Sequence, residues 1–124
     1  MKTVKINFGG KEYPMCFSTR VIKACNDKYG GVENISDVLT GNVSKSLDES
    51  LWLLSIMLDA GERYAKLNGE EPQKAPAIDD LYDMYDADDL VNIVTKIKAT
   101  ITGGMTVTVE TAAPKNMITT PEKN

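Results

Sequence analysis

The stretch that decides the fold is Ser46–Gly69, SLDESLWLLSIMLDAGERYAKLNG. Leu47, Leu51, Leu54, Leu58, Gly61 and Ala65 recur at spacings of three and four, which places them on one face of a helix. Leu53, Met57, Ala60 and Tyr64 form a second stripe beside the first. Two adjoining stripes predict a helix buried over much of its circumference, with the rest of the chain wrapped around it. Ser46 and Glu49 have the spacing of a capping box and predict the start; Asn68-Gly69 predicts the end. From Ser46 to Leu67 such a helix is roughly 33 Å long. Gly61, inside it, costs about 1 kcal/mol relative to alanine, a cost explained if another element approaches closely there.

On the N-terminal side, Val4, Ile6 and Phe8 alternate with polar residues, Gly9-Gly10 suits a two-residue hairpin turn, and Tyr13, Met15 and Phe17 resume the alternation. That loop length pairs Phe8 with Lys11, Ile6 with Tyr13 and Val4 with Met15, so the apolar sets share a face. Pro14 marks an edge strand. Ser18 is a good N-cap for a helix carrying Val21, Ile22, Cys25 and Tyr29, stopped by Gly30-Gly31. Val32, Ile35, Val38 and Leu39 mark a short helix closed by Gly41.

On the C-terminal side, Glu70–Ala77 reads as a loop. Leu81, Tyr82 and Tyr85 predict a short helix with Asp79 as a cap. Asp86 caps the next, with Asp88 and Asp89 in its first turn. Leu90, Ile93, Val94, Ile97 and Ile101 supply its stripe, and Gly103-Gly104 is expected to end it. Met105, Val107 and Val109 then alternate with polar residues and make a candidate third strand. The expectation is therefore an α+β fold: an N-terminal β-hairpin, with a C-terminal strand as a candidate addition, on four to five helices with one long central helix. Residues 1–111 are expected to form one domain and 112–124 a flexible tail.

The chain has 124 residues, 42% apolar, with 14 basic and 18 acidic side chains and a net charge of −4. That is enough for one core without a disulfide or metal staple. The acidic balance and scattered lysines argue against nucleic acid or an anionic membrane as partner. The sequence contains no histidine, which excludes Ser-His-Asp and Cys-His catalysis and any His-containing zinc site. Cys16 and Cys25 lack a Cys-x-x-Cys spacing and suit a reducing, cytoplasmic setting. No signal-peptide core follows Met1, and no apolar run approaches the roughly 20 residues of a membrane span.

The densest chemical feature is Asp79, Asp80, Asp83, Asp86, Asp88 and Asp89. A calcium loop needs oxygens at set offsets, a glycine for the turn and a bidentate glutamate. IDDLYDMYDADDL has neither glycine nor glutamate, so helix capping and dipole complementation explain these carboxylates better. No catalytic, metal or cofactor residue is expected, and the chain is read as a non-enzymatic binding protein. Trp52 is read as core. Tyr82 and Tyr85, set among aspartates, are the candidate partner-binding residues together with Asp79, Asp83 and Asp86, because tyrosine is enriched at interfaces. A groove for a partner helix is expected between the central helix and the Tyr82/Tyr85 segment.

The order of these features resembles a known family. A strand pair VKINFGGKEYPMCFS (4–18) leads to a helix ending KYGG (28–31). Then come VENISDVLTG (32–41), ESLWLLSIMLDAGERYAKLNGEE (49–71) and DADDLVNIVTKIKATITGG (86–104). Over residues 2–104 this looks like the tail assembly chaperones of long-tailed bacteriophages and prophages of Gram-positive hosts. The resemblance implies a cytoplasmic protein that binds the helical tape measure protein, keeps it soluble while tail tube subunits assemble, and is absent from the finished virion. It also implies self-association in some members and a short form beside a longer form made by translational frameshift. Glu122-Lys123-Asn124 is compatible with the slippery codons A AAA AAC. The resemblance carries over no catalytic or cofactor residue. The alternatives are a structural tail component, such as a terminator or connector, and a small phage regulatory protein that binds a host factor.

Overall fold

The computed structural model describes residues 3–112. The chain begins with the expected hairpin, β1 (Val4–Phe8) and β2 (Lys11–Met15), paired antiparallel with Phe8 opposite Lys11, Ile6 opposite Tyr13 and Val4 opposite Met15. Gly9 and Gly10 have φ of 59° and 79°, the left-handed pair that lets a two-residue loop follow the strand twist. Such a loop makes Phe8–Lys11 a hydrogen-bonded pair, so alternation places Pro14 at a non-bonded position, where its missing donor faces away from β1. Ile6, Tyr13 and Met15 are buried, while Phe8 at the tip stays 38% exposed.

Among the described residues five helices follow: α1 (Thr19–Tyr29), α2 (Ile35–Leu39), α3 (Val43–Leu67), α4 (Ile78–Met84) and α5 (Leu90–Ala112). Single 3-10 turns lead into α2 and α5. The architecture is α+β, a two-stranded sheet on a helical body organised around α3, which touches β2, α5, α2, α4 and α1. Both predicted stripes of α3 are buried except at Leu47 and Tyr64, which are half-buried, and Leu53, Leu54 and Met57 are fully enclosed. They meet Ile6, Met15 and Phe17 from the hairpin side, Val21 and Cys25 from α1, Leu81 from α4, and Ile93 and Ile97 from α5 in one hydrophobic core. Trp52 is only partly buried and packs against that core.

Gly61 is where the strand crosses the helix. A β-carbon there would fall inside the Pro14 carbonyl group and within 3.1 Å of the Met15 nitrogen. One turn earlier, the Cys16 N–H donates to the Met57 carbonyl at 3.1 Å. The close approach expected at this glycine is therefore the seating of β2 on α3.

Four local expectations are corrected. The N-cap of α3 is Asn42, whose Oδ1 accepts from the Lys45 N–H at 3.2 Å, one turn before Ser46. Asparagine caps as well as serine, and Ser46 is instead buried, its hydroxyl donating to the Leu39 carbonyl at 2.7 Å. Asp79 does not cap α4, whose N-cap is Ala77; it sits in the first turn. Gly103-Gly104 does not end α5, and the candidate strand Met105–Val109 is helical, because α5 runs on to Ala112. Gly104 is a second close approach, since a β-carbon there would lie 2.8 Å from Phe17. Extending a formed helix adds one bond per residue fixed, and β-propensity spans only about 1 kcal/mol. Ala112, assigned to the tail, closes α5; the rest of that tail, 113–124, lies outside the described residues. Asp86 does cap as expected, sharing a reciprocal capping box with Asp89.

Two stability predictions follow from these contacts. Gly61→Ala should destabilise the protein by about 3 kcal/mol through overpacking, reversing the gain of about 1 kcal/mol that the exchange brings in an open helix. Gly41→Ala, whose β-carbon would meet only the Asp37 carbonyl at 3.8 Å, should be near neutral; denaturant midpoints of the two variants check this. Ser50 is fully buried and, among the described residues, its hydroxyl has no hydrogen-bond partner. Ser50→Ala should therefore stabilise by about 1 kcal/mol, and a measured loss of that size would show that the hydroxyl is satisfied.

Candidate partner-binding cleft

Between the hairpin tip and α4 lies an open cleft of about 810 Å³. The hairpin contributes Phe8, Gly9, Lys11 and Tyr13; the strap joining α3 to α4 contributes Lys74–Ala77; and α4 contributes Asp80, Asp83 and Met84. Its surface is mainly apolar, with exposed charges at the rim.

Each wall is held by a specific contact. The Phe8 lip is backed by Tyr85, whose ring meets it edge-on at 5.4 Å between centroids. The Tyr85 hydroxyl donates to the Asn7 carbonyl at 3.3 Å. Burial pushes that phenol up to about 12, so it stays a neutral donor through the physiological range. The strap is tied to α3 by Glu62, whose carboxylate accepts from the Ala75 N–H at 2.9 Å and pairs with Lys66 at 2.8 Å. Those bonds, Lys66 first, hold the Glu62 carboxyl below its usual range.

The sequence-predicted residues separate around this geometry. Asp83 lines the cleft and Tyr85 supports its lip. Asp79 is exposed in the first turn of α4, and Asp86 is spent on capping. Tyr82 is 46% exposed and donates to Asp48 of α3 at 2.7 Å. With Leu81 fully buried behind it, the space expected between α3 and this segment is filled, and the open groove lies on the hairpin side of α4. Phe8, Lys11, Lys74, Asp80 and Met84 were not among the partner-binding residues expected from sequence, although Asp80 belongs to the aspartate cluster. The one signal for Phe8 was its place at the end of an alternating apolar run, next to the turn.

Elsewhere several polar groups are committed to structure. Tyr29 donates to Glu49 at 2.5 Å and meets Trp52 edge-on at 5.7 Å, while Lys28 lies 4.7 Å from the Trp52 ring. Burial, then the bond to Glu49, pushes the Tyr29 hydroxyl well up. Both cysteines are buried and free; burial raises the Cys16 thiol and pushes Cys25 to about 11. Neither is a thiolate at neutral pH. Among the described residues no three His, Cys, Asp or Glu side chains converge on a point that could hold a metal ion. Among the same residues no helix is long and apolar enough to cross a membrane.

Comparison with known protein families, with curated proteins and with solved structures returns no match.

The Glu62 tie predicts a pH response of the strap. A carboxyl depressed in the folded state contributes its stability above the ordinary glutamate value near 4.5 and loses it as pH falls through its lowered folded value. The Ala75 amide resonance should therefore titrate with a midpoint below 4.5, and the step should vanish in Glu62→Gln. A midpoint at or above 4.5 would contradict the bond.

Proposed function

We propose that the chain is a non-enzymatic tail assembly chaperone of a long-tailed phage or prophage. It would hold an amphipathic helical segment of the tape measure protein in the cleft between the hairpin tip and α4, acting in the host cytoplasm and leaving before the tail is complete. The observation that carries this reading is the cleft itself: an apolar trough open to solvent, with a large aromatic lip at Phe8 and walls braced by Tyr85 and Glu62. Preformed apolar grooves of this kind take the apolar face of a helix. The family resemblance over residues 2–104 supplies the identity of the client. The lack of histidine and the inertness of the buried thiols support a role without chemistry.

Co-expression with the tape measure gene beside it should raise the soluble fraction of the client severalfold. Phe8→Asp should remove that gain while leaving the circular dichroism of the chain unchanged, because Phe8 is outside the buried core. A client equally soluble without the chain, or the chain found stoichiometrically in purified tails by mass spectrometry, would contradict the proposal.

A further inference from the structure

We infer that the cleft selects its occupant by charge as well as by apolar fit: it takes an amphipathic helix that carries both acidic and basic residues beside its apolar stripe. This rests on the reading of the cleft as a client site and adds the chemistry of the segment bound. Lys11 follows the hairpin turn and Lys74 lies in the strap, while Asp80 and Asp83 stand on α4. Positions i and i+3 share a helix face, so both aspartates border the cleft. All four side chains are exposed, and among the described residues none of them takes part in an ion pair. Cations and anions thus line one trough with no ion pair among the described residues joining them, beside an apolar lining that includes Phe8, Ala75 and Met84.

An occupant of a single charge sign would meet its own sign on part of the rim. A helix carrying both signs can offer acids to Lys11 and Lys74 and bases to Asp80 and Asp83. An extended peptide fits poorly, because strand addition needs a free sheet edge. On β1 the Asn7 carbonyl is taken by Tyr85. On β2, Pro14 offers no donor and its carbonyl lies against Gly61. A helix satisfies its own backbone and asks the cleft only for apolar contact and rim charge. Rim pairs contribute little energy each but fix orientation and reject wrong partners.

The test uses three synthetic helical peptides with the same leucine stripe, one with a glutamate flank and a lysine flank, one with lysine on both flanks and one with glutamate on both. Their affinities for the full chain are read by fluorescence anisotropy. The mixed peptide should bind roughly tenfold tighter than either single-sign peptide. Asp80→Lys with Asp83→Lys should shift the preference to the all-glutamate peptide, and Phe8→Ser should weaken the mixed peptide by at least about tenfold. Equal binding of all three, no saturable binding, or insensitivity to either variant would overturn the inference. Binding of the mixed peptide together with a client whose solubility ignores the chain would keep the cleft's selectivity and remove the chaperone role. The reverse pair of results would do the opposite.

Discussion

The structure depends on one crossing. β2 lies directly on α3, with the Pro14 carbonyl occupying the space a side chain would fill at Gly61, and with the Cys16 N–H bonded to the Met57 carbonyl one turn away. A two-stranded hairpin is marginal by itself; here its inner face, Ile6, Tyr13 and Met15, is closed off by the helical core. The glycine costs helix propensity, which the burial it permits offsets. A second small-residue contact, Gly104 on Phe17, brings α5 in at the far end of the same segment. Strand, central helix and last helix are thereby locked over a few residues of chain.

The cleft is a consequence of that lock. With β2 held against α3 at Pro14 and the Cys16 amide bonded to Met57, Phe8 near the hairpin turn stays partly exposed and lines the cleft that α4 closes on its other side. Two ties then set the width of the gap: Tyr85 to the Phe8 ring and Asn7 carbonyl on one side, and Glu62 to the strap amide of Ala75 on the other. Tyr85 and Ala75, one on each tie, also pack against the core, so both walls are anchored to the body of the fold.

Much of the fold was legible because it is written in short-range periodicity. The strand alternation around Gly9-Gly10 determined the hairpin register to the residue, and the twin stripes of Leu51–Ala65 identified the central helix. What failed were signals with two physical meanings. A glycine pair can end a helix or admit a neighbouring side chain, and only the tertiary contact between Gly104 and Phe17 decides which. Alternating threonines and valines after it suggest a strand, yet continuing a formed helix required no new nucleus. Asn42 and Ser46 were equivalent caps by chemistry, and the buried α2–α3 corner took the serine. The candidate site was half legible. Asp83 and Tyr85 were reached through composition, but the cleft is made where three separated segments meet, and neither Phe8 nor Lys74 carries a mark of that meeting in its own neighbourhood.

The central claim is that the face formed by the hairpin tip, the strap and α4 is where a helical client docks. Hydrogen–deuterium exchange of the chain alone and in complex with the tape measure protein tests it most directly. The account predicts added protection confined to residues 8–13 and 74–84, with the rest of α3 and α1 unchanged. Protection centred elsewhere, such as on the first turn of α1 and the end of α3, or no change in the cleft segments on complex formation, would contradict it.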